Sequence, residues 1–308
     1  MDYCVLGSIN MDLVSKTPHF VNPGETLSCF SFSLIPGGKG ANQAVALSKL
    51  GAKVTMLGKM GNDIYGDAYQ KNFIDNNVKT DHIERIDSST GLALIEVEES
   101  TGLNRIIIVG GANAEINLEY LNSKKNIINK ADVLLLQLEI PLNVVFEAAK
   151  LHRGKGQLTI LDPAPAQSLP NDLYPLIDYI TPNETETFIL TGVECKDEKS
   201  IRKAADILLA KDVKNVIIKI GKIGAYFSNK DTFFLSPSYP VKTIDSTAAG
   251  DSFNAGLAFA LQTTDDPSKI MKIANAVASL STTGFGAQSS MPSWNMVEKL
   301  LLMHPNLV

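Results

Sequence analysis

Asp251 stands directly after Ala248-Ala249-Gly250, three residues with almost no side chain, and directly before SFNAGLAFALQ. In that following run Phe253, Leu257 and Leu261 recur at helical spacing. A small-residue turn opening into a helix presents unpaired N–H donors and a positive dipole end, which suits a phosphate. A carboxylate beside that anion site can accept the proton of a hydroxyl that attacks the phosphate. The same residues also fit a capped helix whose Asp only complements the dipole. At a helix start the dipole is expected to hold this carboxylate ionised, as a weak base.

Other polar residues gather at similar places. Gly37, Gly38 and Gly40 surround Lys39 ahead of an amphipathic helix within residues 36–52. The run meets neither GxxxxGK[ST] nor the dinucleotide fingerprint, since Gln43 stands at the third glycine's place. It leaves a backbone that can pass close to a small ligand, with Asn42 as a polar contact. Asn10 and Asp12 follow the apolar run YCVLGS, and Glu139 follows LLLQL; a carboxylate at such an exit must find a partner or a ligand. In PNETE, residues 182–186, Asn183 and Glu186 share one side of a helical turn. They are oxygen ligands suited to a hydrated Mg²⁺, or the acidic first turn of a Pro-led helix cap. Gly221 and Gly224 mark a tight strand turn that admits a nucleotide or simply makes a hairpin.

The elements that must position these groups are readable from periodicity. Strands are expected at 3–8, 27–34 and 53–61, a helix at 67–77, and a hairpin from 91–98 and 104–109, followed by a flexible turn at 110–113. From residue 132 strands alternate with helices at 142–152 and 198–210, the pattern of a parallel sheet with right-handed crossovers. Helices fill the last third at 250–262, 268–283 and 293–302. With no linker or repeat, residues 1–308 read as one α/β domain, a three-layer parallel-sheet core with helices on both faces. The early β segments, about 10–36 and 90–110, read as a small appended sheet.

Composition narrows the partners. The chain is 44% hydrophobic and 20% charged with net charge −5, and it has no basic cluster for nucleic acid or an anionic membrane. No apolar run approaches the ~18 residues of a spanning helix, and the start MDYCVLGSINMD lacks the basic n-region of a signal peptide. A cytoplasmic location is expected. Cys4, Cys29 and Cys195 lack CxxC spacing, and His19, His82, His152 and His304 are scattered, so a zinc site or His-based triad has little support.

Taken in order, GSINMD (7–12), PGGKGANQ (36–43), GGAN (110–113), QLEIP (137–141), DPAPA (162–166), PNETE (182–186), DSTAAGDSFNAGL (245–257) and GAQSSMP (286–292) resemble the ribokinase-like carbohydrate kinase family over nearly the whole length. The resemblance implies ATP-dependent phosphorylation of the terminal hydroxyl of a sugar, and the QLEIP and GAQ segments point to D-ribose. Asp251 would be the base, and the N–H groups of Ala248, Ala249 and Gly250 the anion hole for the γ-phosphate. Asn10, Asp12, Gly38, Lys39, Gly40, Asn42 and Glu139 would bind the sugar. Asn183 and Glu186 would serve Mg²⁺-ATP, while Lys219 to Gly224, with Gly221 between, and Asn275 would line the adenine side. Asp245, Thr247, Ser281, Gly284, Gly286 and Ser290 would surround a monovalent cation such as K⁺, mostly through backbone oxygens. The early β segments would form a lid and a homodimer contact. Asn275 stands where some relatives carry His, and Gly284 and Phe285 replace more polar residues.

Substrate choice follows from charge. The first 50 residues hold only Lys16, Lys39 and Lys49 as cations, so a neutral sugar is favoured over a phosphorylated one. Deoxyribose, fructose and, with stacking from Phe30 and Phe32, adenosine stay as alternatives. A non-catalytic sugar-binding regulator on the same fold is the competing class; it has no need of Asp251 as a proton acceptor.

Overall fold

Short runs that are apolar at every position, such as VLLL at 133–136, need partners on both faces, and a parallel sheet between two helical layers supplies them. The computed structural model describes residues 1–305 and Leu307. Its first elements are β1 (Asp2–Leu6), β2 (Asn10–Thr17), β3 (Ser31–Gly37), α1 (Lys39–Lys49), β4 (Lys53–Gly61), α2 (Ile64–Asp75) and β5 (Ile83–Ile86). Next come β6 (Gly91–Glu98), β7 (Asn104–Val109), α3 (Leu118–Ile128), β8 (Val133–Leu136), α4 (Leu142–Leu151), β9 (Leu158–Leu161) and β10 (Tyr179–Ile180). The remainder is α5 (Glu184–Thr191), α6 (Glu198–Leu209), β11 (Asn215–Ile220), β12 (Gly224–Ser228), β13 (Phe233–Pro237), α7 (Ala249–Ala260), α8 (Pro267–Ser281) and α9 (Trp294–Met303).

Nine strands form the main sheet, in the order β13-β12-β11-β10-β9-β8-β1-β4-β5. From β5 to β11 neighbouring strands are parallel; β12 and β13 run antiparallel at one edge, which the strand–helix alternation alone does not reveal. The two-residue side-chain period sorts each strand between two cores. Tyr3, Val5, Val133, Leu135 and Ile217 pack with α1, α7 and α8, whereas Cys4, Leu6, Leu134, Leu136, Val216 and Ile218 pack with α3, α4 and α6. That is the expected three-layer architecture. Among the described residues no helix is long and apolar enough to cross a membrane.

A separate four-stranded sheet, β3-β2-β6-β7, forms the lid. β2 and β6 are its parallel centre, with antiparallel β3 and β7 at the edges. Two expectations shift in this region. The strand expected at 27–34 runs instead from Ser31 to Gly37, because its ladder is set by β2 from Lys16 to Asn10. Pro36 is tolerated there because β3 is an edge strand. The expected flexible turn at 110–113 is a 3₁₀ helix over Gly111–Glu115, with Asn113 buried. Helix α3 had no expectation attached to it; its stripe of Tyr120, Leu121 and Ile128 is sparse and interrupted by polar residues.

Candidate active site

The carboxyl ends of the central parallel strands converge on one rim, where an open α/β sheet leaves a crevice. That rim carries Asn10 and Asp12 after β1, Glu139 after β8, Asp162 after β9 and Lys219 at the end of β11. A cavity of about 680 Å³ opens beside it, lined among others by Lys39, Asn183, Glu186, Lys219, Gly250 and Asp251.

Asp251 enters on α7. Ala248, the residue before that helix, has φ 59°, a left-handed conformation that is costly for a residue with a Cβ. No side chain caps the helix, so first-turn N–H groups are left for an anion. Of the three donors expected, the Ala249 N–H is turned onto the Ser246 carbonyl at 3.2 Å. The Asp251 carboxylate is buried and held by two amides of α1: Asn42 Nδ2 donates to Oδ2 at 2.9 Å and Gln43 Nε2 to Oδ1 at 3.2 Å. Burial pushes its pKa up to about 6; the Lys39 ammonium opposes that shift and the Asp162 carboxylate adds to it. The expectation of a weak, dipole-held base is therefore corrected, because desolvation outweighs the helix end.

The two amides belong to a longer network. Gln43 Nε2 also donates to Asp162 Oδ2 at 3.2 Å, and its Oε1 accepts from Gln137 Nε2 at 2.7 Å. Gln288 Nε2 donates to Asn42 Oδ1 at 3.0 Å and to the Tyr69 hydroxyl at 2.7 Å, while Tyr69 donates to the Gly37 carbonyl. Asn42, expected to touch a sugar, gives one amide N–H to Asp251 and its carbonyl oxygen to Gln288, which leaves its second N–H.

Next to this network is a second polar cluster. Glu139 Oε2 accepts from the Ser8 hydroxyl at 2.5 Å, from the Lys39 N–H at 3.1 Å and from Asn10 Nδ2 at 3.5 Å. Asn10 Oδ1 accepts from Asn113 Nδ2 at 2.7 Å, and Asn113 also grips the Ile9 backbone N–H and carbonyl at 2.9 and 3.1 Å. Burial, with Glu139 and Asp251 nearby, pushes Asp12 up to about 7. Burial alone would depress Lys39, yet Asp251, Asp162, Glu139 and Glu186 together hold its ammonium above the ordinary lysine range. Gly38 has φ 86°, and a Cβ on Gly40 would lie 2.7 Å from the Gly7 backbone, so both glycines are demanded by the packing of α1 on β1.

Asn183 and Glu186 form a capping box on α5. Glu186 Oε2 accepts from the Asn183 N–H at 2.8 Å and Oε1 from Asn183 Nδ2 at 2.9 Å, and the Glu186 N–H donates back to Asn183 Oδ1 at 2.8 Å. Burial raises the Glu186 pKa, opposed first by Lys219. Asn275 lines the cavity, with Nδ2 tied to the Ser236 carbonyl at 2.9 Å and Oγ at 3.0 Å. Gly221 and Gly224 line it as well. Lys219 lines it too, with its Nζ 3.1 Å from Asp162 Oδ1.

The loops expected around a cation do meet. Asp245 Oδ1 accepts from the Thr247 N–H at 2.9 Å and hydroxyl at 2.6 Å, and Oδ2 accepts from the Gly286 N–H at 3.0 Å. These bonds hold its carboxyl below the usual range despite partial burial. Ser290 Oγ donates to the Gly286 carbonyl at 2.7 Å, and Gly284 packs against Ser290. Ser281 instead donates to Ala278 within α8, so its hydroxyl is committed to the helix. Among the described residues no cluster of three or more His, Cys, Asp or Glu side chains stands ready for a metal.

Sequence reasoning missed Gln43, Asn113, Asp162 and Gln288 as site residues. Asp162 follows the apolar strand LTIL, so the rule that singled out Glu139 finds it too. The other three carry no local signal, because their partners lie far away in sequence.

The pfkB family carbohydrate kinase profile matches residues 2–294. The chain is 42% identical over 290 residues to ribokinase of Haemophilus influenzae, covering 94% of each. It superimposes on ribokinase of Thermotoga maritima with TM-score 0.88 at 40% identity, covering 97% of this chain and 99% of that one. The fit to Arabidopsis thaliana ribokinase complexed with ribose and ATP has TM-score 0.90 at 32% identity, covering 97% of this chain and 98% of that one.

Proposed function

The chain belongs to the pfkB family of carbohydrate kinases, and from that premise we propose that it transfers the γ-phosphoryl group of ATP to the terminal (C5) hydroxyl of D-ribose, releasing ribose 5-phosphate and ADP. The observation that carries this reading is the pairing of a buried Asp251, raised to about 6, with the uncapped first turn of α7 on the cavity wall. A proton acceptor and an anion site adjoin, as in-line phosphoryl transfer requires. A non-catalytic binder has no use for a desolvated carboxylate there.

Asp251 orients the attacking hydroxyl and takes its proton late, as the bond to phosphorus forms. At pH 7 most of it is ionised and ready to accept. Asp12, Asn10 and Glu139 meet the sugar hydroxyls with acceptors and an amide, and Lys39 balances their charge. The residues present fit a hydrated Mg²⁺ at Glu186, since each carboxylate oxygen already accepts one bond and retains a further lone pair for a metal-bound water. When bound, the ion neutralises charge on the phosphate oxygens. Asp245, with backbone carbonyls of the 284–290 loop, fits a monovalent cation such as K⁺, which would brace the loop leading into α7.

Phe30, Phe32, Leu34 and Ile106 to Ile108 are exposed on the lid, more apolar surface than a small solvated sheet carries, which supports a homodimer closed lid against lid. A cytoplasmic location fits these substrates and the three free cysteines. ATP consumption measured with ribose, deoxyribose, fructose and adenosine tests the assignment. The highest kcat/KM is expected with ribose, and preference for another acceptor would replace it.

A further inference from the structure

We infer that Lys219 is a catalytic residue that grips the γ-phosphoryl group during transfer, and not part of the adenine wall. Three contacts place this residue. Nζ lies 3.1 Å from Asp162 Oδ1. It also lies 3.4 Å from the point where a Cβ on Gly250 would stand, directly over the first turn of α7. The Lys219 backbone N–H donates to the Pro182 carbonyl at 2.9 Å, at the start of the segment that carries Asn183 and Glu186. Lys219 therefore occupies the space between the proposed metal-side carboxylate and the proposed anion hole. A cation there faces the oxygens on which charge accumulates as the phosphoryl group moves.

The pair with Asp162 has its own logic. Lys219 is 14% exposed and Asp162 is 2% exposed, and a pair so withdrawn from water adds little net stability over an apolar substitute. It does hold a flexible side chain in one place. Asp162 is itself fixed by Gln43, the amide that also holds Asp251, so base and cation are registered through one side chain. An ammonium carries three donors, and Asp162 takes one, which leaves others for phosphate oxygens. Lys39 does not duplicate this role: the carboxylate with most influence on it is Asp251, and its own N–H joins Glu139 on the sugar side.

In the step itself the sugar oxygen bonds to the γ-phosphorus, the bond from that phosphorus to the β,γ-bridging oxygen breaks, ADP leaves with the electron pair, and the proton passes to Asp251. Lys219 makes and breaks no covalent bond in this step and only compensates charge. The inference rests on the kinase reading, but its decisive readout needs no sugar.

Lys219→Met, Lys219→Arg and the charge-balanced double variant Lys219→Met/Asp162→Asn are compared with the wild type by calorimetry, using ADP and a non-hydrolysable β,γ-imido analogue of ATP with Mg²⁺. The Met variants are expected to bind the triphosphate analogue at least tenfold more weakly while ADP affinity changes less than twofold. Their kcat should fall ~10²–10³-fold, the scale for losing one transition-state donor, with Arg restoring part of it. The double variant removes the unpaired buried Asp162 as a cause of misfolding. Equal weakening of ADP and the analogue would return Lys219 to the adenine wall, and a folded Met variant with kcat within threefold of wild type would reduce the pair to a structural one. If the kinase reading itself were wrong, the wild type would consume no ATP with any of the sugars, a result independent of these comparisons.

Discussion

Asp245 and Asp251 stand at the two ends of one short segment, and their surroundings are opposite. Asp245 collects N–H and hydroxyl donors from Thr247 and Gly286, which hold its carboxyl low and fully charged. Asp251 is buried with two side-chain amides for company, and its pKa rises to about 6. The first arrangement uses a saturated charge to tie two loops together. The second leaves a carboxylate short of solvation, so that it retains appetite for a proton. Asp12, raised to about 7, belongs with Asp251 in this respect. The bracing charge is partly exposed and hydrogen-bonded on all sides, whereas the reacting charge is buried, and burial outweighs the two amides that hold it.

The largest effect that tests this contrast is expected from Asp251→Asn, which keeps the size but cannot take a proton. Single-turnover kinetics should show kcat lower by ~10²–10⁴-fold, with ATP and ribose affinities little changed. Because the site is desolvated, the variant should melt no lower than the wild type. A folded variant with near-normal kcat would make Asp251 another structural carboxylate, like Asp245.

Asp12→Asn comes next. Loss of a charged partner in a buried polar site costs ~1–3 kcal/mol, so the ribose KM should rise about 10–100-fold while the ATP KM holds. An unchanged ribose KM would remove Asp12 from the sugar site.

The pH dependence sharpens the same contrast. Activity should lose about tenfold per unit below the Asp251 pKa near 6 and level off above it. Unliganded stability should move the other way. With folded values raised above their unfolded ones, Asp251 and Asp12 bind protons more readily in the folded state, so their contribution grows as pH falls from about 8 toward 4. Asp245, with its value depressed, contributes stability that is lost only as pH falls through its low folded pKa. Thermal melts of wild type and Asp12→Asn between pH 5 and 8 check this; identical slopes would exclude Asp12 as a contributor.

The smallest effect is expected at the bracing end. Replacing K⁺ by a large organic cation at equal ionic strength should lower kcat a few-fold without changing the ribose KM. Equal rates would mean that the Thr247 and Gly286 bonds to Asp245 hold the loop without an ion.

How far the sequence carries differs by residue. Strand β4 and the hairpin of β6 and β7 were legible to the residue, because side-chain alternation and Gly boundaries are local signals. The order of the parallel strands in space was not, nor was the antiparallel edge of β12 and β13, since pairing joins segments distant in the chain. In PNETE both local readings met in one place: Asn183 and Glu186 are a capping box by geometry and lie on the cavity wall by position.

What the amino-acid sequence determined by itself is the inventory: small residues before Asp251, carboxylates and amides at strand exits, and periodicities that force a three-layer α/β core. Those are properties of neighbouring residues, governed by sterics, backbone hydrogen bonding and side-chain period. Only the tertiary structure decided that Asn42 and Gln43 would hold Asp251, that Gln288 would reach Asn42, and that the Lys219 ammonium would pair with Asp162. Desolvation and Coulomb energy depend on distances between groups far apart in sequence, so neither the reactivity of Asp251 nor the placement of its neighbouring charges existed until the chain had folded around them.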